Sequence, residues 1–293
     1  MEYAENVFPY SEFPQEKVLK GEVIELDTAL FRCPFRIRVE GDKAIVMDLH
    51  GIDYYAHLFK YPGFQYLSSF GRRGDSLLRD EAVILDEDIL RPLDFAIYND
   101  TTFIIPDYSG ENRLCWLNDD GELVKKIGAI PSINNQALRK ARPALAQAWR
   151  SFIDYNSHNG VLAMVTQLGE VLEVYNLKDS TEVIRIGENG EPKFKIFEGY
   201  GIPSGIMGFS DVQVTDNAIY AVFHGTTFKE IVKHNGHLPD GGKYIYVFSL
   251  KGEPLYKYVL DHYVYGFWVD EATKTIIATD INNDQPIVRF QCG

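Results

Sequence analysis

The stretch FRIRVEGDKAIVMDLHGIDYYAHLFKYPGFQYLSSFG, residues 35–71, decides the fold. It opens with an alternating apolar run, Phe35–Val39, turns at Gly41-Asp42, and returns as Ala44–Asp48. A polar stretch leads to a third run, His57–Tyr61, and Pro62-Gly63 turns the chain into a fourth, Phe64–Gly71. Period-two alternation rich in β-branched and aromatic residues, punctuated by Gly, Pro and Asp, is the pattern of short antiparallel strands.

The same phrase recurs along the chain. A second unit runs Leu93–Tyr98, Thr102–Asp107, Arg113–Leu117 and Leu123–Gly128. A third runs Phe152–Tyr155, Val161–Thr166, Val171–Leu177 and Glu182–Gly187. A fourth runs Phe209–Thr215, Ala218–Phe223, Tyr244–Leu250 and Leu255–Leu260. A fifth, Tyr265–Val269, Thr275–Asp280 and Ile287–Phe290, stops one strand short. The units open at Phe35, Phe95, Phe152, Phe209 and Phe267, in steps of 60, 57, 57 and 58 residues. Four short strands per unit, repeated at near-constant spacing, predict an all-β fold, a β-propeller of four-stranded blades occupying residues 1–293 as one domain. Residues 20–27, KGEVIELD, alternate apolar and polar and precede the first unit without a partner. Pairing them with Ile287–Phe290 supplies the missing strand, closes the ring and removes two open edges. Asn134–Arg150, rich in Ala, Leu, Gln and Arg, reads instead as a short helix, with Pro143 breaking it or starting a second turn.

Composition narrows the function classes. The chain carries a formal net charge of -13, which repels phosphate backbones and anionic lipid, so neither nucleic acid nor a membrane surface is an expected partner. No apolar run approaches the ~18 residues of a membrane helix. The N-terminus, with Glu2, Glu5, Glu12 and Glu16, lacks the basic start and apolar stretch of a signal peptide. Three cysteines, Cys33, Cys115 and Cys292, form no C-x-x-C spacing and read as free thiols. Ring closure would leave one pair, Cys33 and Cys292, close enough to consider.

Three stretches carry a family resemblance: HLFKYPGFQYLSSFGRRGD (residues 57–75), ALAQAWRSFIDYNSHNGVLAMV (144–165) and FSDVQVTDNAIYAVFHGTT (209–227). In these, and in the repeat, the chain resembles the TolB-like, NHL-like β-propeller proteins of bacteria. The resemblance implies six blades, a largely uncharacterised function, no catalytic assignment, and for many members a lipoprotein signal. This chain departs on two counts, with five units and no such signal.

Connections between strands two and three, and between blades, share one face of a propeller. Here that set is long: Leu49–Ala56, Arg72–Pro92, Asp107–Asn112, Ala129–Arg150, Glu188–Gly208 and His224–Gly242. The opposite set consists of tight turns such as Gly41-Asp42 and Lys251-Gly252. Long loops on a rigid scaffold concentrate function, so the long-loop face is expected to carry the site. Its candidate ligand-binding residues are His50, His57, Arg72, Arg73, Asp107, Tyr108 and His224. Arg72-Arg73 suit a carboxylate or sulfate held in a fork, or pairing with Asp75 or Asp80. Asp48, Asp107 and Asp280 end second strands, where Asp more often caps a turn than catalyses. His234, His237 and Asp240 have metal-ligand types, but in a Gly-rich loop they read as solvated. Neither metal nor cofactor is expected. These features suggest a non-catalytic binding propeller for a protein, peptide or glycan. The alternative is a metal-dependent hydrolase or lyase at the channel mouth, drawing on Asp107, Asn156, Asp211 and Asp280.

Overall fold

The computed structural model describes residues 6–27, 31–73, 85, 89, 93–130, 142–235 and 237–293. Within them the five sequence units become five antiparallel blades. Blade 1 comprises β4 (Pro34–Glu40), β5 (Lys43–Asp48), β6 (Tyr54–Lys60) and β7 (Gln65–Arg72). Blade 2 comprises β8 (Ala96–Asn99), β9 (Thr102–Pro106), β10 (Asn112–Asn118) and β11 (Leu123–Ala129). Blade 3 comprises β12 (Ser151–Asn156), β13 (Val161–Thr166), β14 (Val171–Asn176) and β15 (Thr181–Ile186). Blade 4 comprises β18 (Phe209–Val214), β19 (Ala218–Phe223), β20 (Gly242–Ser249) and β21 (Pro254–Val264). Blade 5 takes β22 (Phe267–Asp270), β23 (Thr275–Thr279) and β24 (Ile287–Gln291) from the C-terminus and β3 (Gly21–Ile24) from the N-terminus. β3 lies antiparallel to β24, with Val23 opposite Val288, so the predicted closing strand is present. The six blades implied by the resemblance are not what the described residues form.

The N-terminal arm does more than close the ring. β1 (Val7–Pro9) adds in parallel to β15, and β2 (Glu16–Leu19) adds in parallel to β21. The arm therefore covers the outer edges of blades 3 and 4 before completing blade 5, and it hides backbone donors that would otherwise template association. Neither strand was expected from the sequence. A hairpin of β16 (Phe194–Phe197) and β17 (Tyr200–Pro203) also stands in the connection between blades 3 and 4, which reads as loop in the sequence.

The predicted helix is present as α1 (Arg142–Ala148), with Pro143 in its first turn where no backbone donor is needed; residues 134–141 lie outside the described residues. A second helix, α2 (Phe228–Lys233), corrects the expectation of a single helical segment. Thr227 and Glu230 form a reciprocal capping box at its start. His234 is its C-cap.

Apolar residues on alternate strand positions pack blade against blade. Val222, Ile245, Val247, Phe267, Ile276 and Phe290 join blades 4 and 5, and Ile37, Val46, Phe59, Ile277 and Ile287 join blades 5 and 1. Ile104, Trp116, Ile153 and Met164 join blades 2 and 3. Each such side chain contributes roughly 1.5–3 kcal/mol on full burial. Cys33, Cys115 and Cys292 are all free, so Cys33 and Cys292 form no pair.

Candidate functional site

The inner strands hold the channel closed with charged and polar side chains. Asp94 accepts the Ile153 N–H at 3.0 Å, Asp154 the Val214 N–H at 2.7 Å, Asp211 the Phe267 N–H at 3.1 Å, and Gln213 the Val269 N–H at 2.7 Å. Each bond runs from one blade to the inner strand of the next. Arg36 pairs with Asp94 and reaches Asp211 at 3.5 Å. Arg38 grips Asp211 with both terminal nitrogens, at 3.0 and 2.8 Å. Burial pushes the Asp211 carboxyl up, but Arg38, Arg36 and the Phe267 N–H together hold it below the usual range. Asp154 behaves oppositely. Burial, with Asp211 and Asp94 beside it, outweighs Arg38 and the Val214 N–H and raises its carboxyl to about 6.

Above this lattice, the long-loop ends of the blades carry ring–guanidinium and ring–ring pairs. Tyr55 of blade 1 packs edge-on to Phe35, and the Arg73 guanidinium lies 5.5 Å from its ring centre. Arg73 also donates to the carbonyls of Asp48, at 2.9 Å, and Leu49. Tyr108 of blade 2 is buried, with its hydroxyl accepting from Leu93 N–H at 3.3 Å and donating to the Ser151 carbonyl at 3.4 Å. Arg150, immediately before blade 3, stacks its guanidinium 5.6 Å from the Tyr108 ring centre. His224 of blade 4 meets Tyr265 of blade 5 edge-on at 5.8 Å. Burial, Cys33 and Asp240 raise the Tyr265 hydroxyl, opposed by Arg36 and Arg150. Burial likewise raises Tyr55 against the pull of Arg36 and Arg73.

Arg150 is fixed from behind. Arg113, fully enclosed, donates to the Trp149 carbonyl and to Ser151 Oγ, both at 2.8 Å, and so clamps the residues on either side of Arg150. Its remaining donors grip Glu173, at 2.6–3.1 Å, and Tyr175 donates to the same carboxylate.

The structure sorts the sequence candidates. Arg73, Tyr108 and His224 belong to the assembly just described. His57 does not: it sits inside blade 1, with Nδ1 at 2.8 Å from Ser69 Oγ and its ring against Phe31. Burial lowers its pKa. Asp107 caps its own turn, accepting from Ser109 N–H at 2.9 Å and Ser109 Oγ at 2.7 Å. His50 and Arg72 are exposed, and Asp75 and Asp80 lie outside the described residues. His224 is half-buried, with Nε2 enclosed and unpartnered, and burial lowers its pKa to about 4. Tyr55, Arg150 and Tyr265 were missed; Arg150 and Tyr265 each stand two residues before the Phe that opens a unit. Asp107, Asn156, Asp211 and Asp280 do not converge. Asn156 bonds Asp216 on the tight-turn face, while Asp280 is engaged by His262, Asn282 and Asn283. Among the described residues no group of three His, Cys, Asp or Glu side chains is placed to hold a metal ion.

A solvent pocket of 560 Å³ opens at the other end of the channel, lined by Tyr61, Asp154, His158, Thr215, Trp268 and Glu271 among others. That mouth is on the tight-turn face. Among the described residues, no helix is long and apolar enough to cross a membrane.

Comparison with solved structures finds the fold repeatedly. A member of the DUF4221 family from Bacteroides vulgatus is 12% identical, with 96% of this chain and 97% of that one covered at a TM-score of 0.57. An auxiliary nutrient binding protein from Bacteroides ovatus is 10% identical at a TM-score of 0.43. Hydrazine synthase of Kuenenia stuttgartiensis is 12% identical at 0.38. The chain spans 58% and 57% of those last two chains, while 87% of its own length is covered in each. Comparison with curated proteins gives no match. The profile of the TolB-like 6-blade propeller-like family matches residues 11–77 and 75–272. On that extent of match, and with five blades among its described residues, the chain belongs to the TolB-like propeller family.

Proposed function

We propose that this protein is a binding propeller that recognises a protein, peptide or glycan at the long-loop mouth of its channel. The observation that carries this reading is the set of rings and guanidinium groups from different blades, half-buried Tyr55 with exposed Arg73, buried Tyr108 with half-buried Arg150, and half-buried His224 with Tyr265. Rings set beside guanidinium groups combine apolar surface with charged donors, the combination by which ligand sites join affinity to orientation. The guanidinium groups favour a ligand bearing a carboxylate or sulfate. His50 and Arg72 stand exposed on the same face and extend the surface available to a large ligand.

Labelled protein applied to arrays of uronic-acid, sulfated and neutral glycans and of acidic peptides tests the reading. Binding to an anionic class is expected. It should fall at least tenfold in Arg73→Met/Arg150→Met, with a melting temperature within a few degrees of the parent. Binding that survives this double substitution overturns the assignment, as does the absence of any anionic ligand.

A further inference from the structure

We propose that the tight-turn mouth is a second binding site, for a small organic cation bearing a guanidinium or ammonium group. Its 560 Å³ volume is within the range of small-ligand pockets, and its walls come from blades 1, 3, 4 and 5. The carboxylates that line it are Glu40, Asp154, Asp216, Asp270 and Glu271; among the described residues neither Lys nor Arg lines it. Three of those carboxylates accept hydrogen bonds from neutral donors. Asp216 accepts from Asn156 at 2.9 Å, Glu271 from Asn217 at 2.7 Å and Tyr220 at 3.1 Å, and Asp270 from the N–H groups of Ala272 and Thr273. The one basic lining group, His158, lies 3.3 Å from Asp216 and is exposed at the rim.

The inner wall supplies an independent reason. Three channel carboxylates, Asp94, Asp154 and Asp211, share two guanidinium groups, Arg36 and Arg38. Arg36 is taken by Asp94 and Asp211. Arg38 is taken by Asp211 and by the carbonyls of Ile37 and Phe267. Among the described residues Asp154 accepts one hydrogen bond, from Val214, and feels the Arg38 charge without a direct ion pair; it is the one of the three that lines the pocket. The channel therefore presents a surplus negative charge to this mouth. Walls of low dielectric focus such a field on an entering cation. Tyr61, Tyr155 and half-buried Trp268 add aromatic surface, which favours an organic cation over a bare ion.

The probe is N-acetyl-arginine amide, whose only charge is its guanidinium, set against N-acetyl-citrulline amide, its neutral isostere. Both are titrated into the full chain at low salt by calorimetry and tryptophan fluorescence. Trp116 and Trp149 are buried, so a fluorescence change reports Trp268. The arginine probe is expected to bind, the citrulline probe to bind at least tenfold more weakly, and added NaCl to weaken the former. Asp154→Asn, whose amide oxygen can still accept the Val214 N–H, should cost about tenfold. Asp216→Asn/Glu271→Gln, on the rim, should cost several-fold and guards against a folding defect in the first variant. Glu198→Gln, on the tip of the β16–β17 hairpin, should change nothing. The proposal is overturned if the arginine probe does not bind, if both probes bind alike, or if neither the Asp154 nor the rim variant weakens binding.

Discussion

The clearest energetic test concerns the pair that fixes Arg150. Arg113 and Glu173 are almost wholly enclosed, with side-chain exposures of 1% and 0%, and meet at 2.6 Å. Burial lowers the Arg113 pKa, but the Glu173 charge raises it further, so the guanidinium keeps its proton. Glu173→Gln preserves shape and one acceptor but strands a buried cation. Removing one partner of a buried pair costs about 3–5 kcal/mol. At roughly 2–3 °C per kcal/mol for a domain of this size, the melting temperature should fall by about 6–15 °C. Arg113→Met/Glu173→Leu removes both charges and should recover most of that loss, because hydrophobic replacement of a buried pair is often near neutral. Recovery stays incomplete, since the Ser151 hydroxyl loses the Arg113 donor and the Trp149 carbonyl keeps, among the described residues, only Ser151 Oγ, at 2.9 Å, a loss of about 1–2 kcal/mol. Calorimetric melts of the parent, Arg113→Met, Glu173→Leu and the double variant form the cycle that isolates the coupling. A Glu173→Gln melt within 2 °C of the parent, or a double variant as unstable as the two singles summed, refutes the reasoning. The double variant should also weaken ligand capture on the long-loop face, because Arg150 loses its clamp.

Four further outcomes follow from the geometry. Asp154 has its carboxyl raised from 3.8 to about 6, so its contribution to stability is full below pH 3.8 and is lost as the pH rises through 6; Asp154→Asn should flatten that fall and stabilise the protein at pH 7.5 by on the order of 2 kcal/mol in pH-dependent melts. His224, lowered from 6.5 to about 4, has the opposite sign: its contribution is full above pH 6.5 and is lost as the pH falls through 4, so His224→Phe should blunt acid unfolding in the same series. A Cβ at Gly266 would lie 2.4 Å from the Phe35 carbonyl and 2.7 Å from Arg36 Cα; Gly266→Ala should therefore cost about 1–3 kcal/mol by forcing blades 1 and 5 apart, and an unchanged melt would contradict that packing. Deleting residues 1–27 bares β24, β21 and β15 together, and light scattering should show association; a truncated protein that stays monomeric with an unchanged melt would refute the closure described.

Blade count and ring closure were legible in the sequence because period-two alternation and near-constant spacing are imposed by packing on both faces of every blade. Lys20–Asp27 could be assigned because one unit lacked a strand. β1 and β2 escaped because parallel addition to an outer edge uses main-chain bonds and leaves most of the side chains exposed, so no alternation marks them. α2 carried a readable signal in Thr227-x-x-Glu230, hidden by the surrounding Gly and His. Chemistry was less legible than architecture. His57 has the right residue type on the right side of the chain, yet its strand register turns it into blade 1. Arg150 and Tyr265 occupy the position two residues before the opening Phe, which is Cys33 in the first unit, Leu93 in the second and Met207 in the fourth. Aligning the units on that Phe would have singled out the two polar exceptions.

The contacts between blades explain why the conspicuous acids are poor guides to function here. Asp154 and Asp211 lie on inner strands and Asp94 two residues before one, where the neighbouring inner strand presents N–H groups with no partner in its own sheet. A carboxylate at that position satisfies one of them, and an unsatisfied buried amide costs about 1–3 kcal/mol. Gln213 meets the same need and also donates to the Val269 carbonyl at 3.2 Å. The acids thus join blades first, and Arg36 and Arg38 offset two of their three charges. What remains for recognition is whatever this lattice does not use: rings and guanidinium groups above it, and the unpaired charge of Asp154 below it. Because the lattice lies between them, a substitution at one mouth should leave ligand affinity at the other unchanged, and linked effects would show that the inner strands move together.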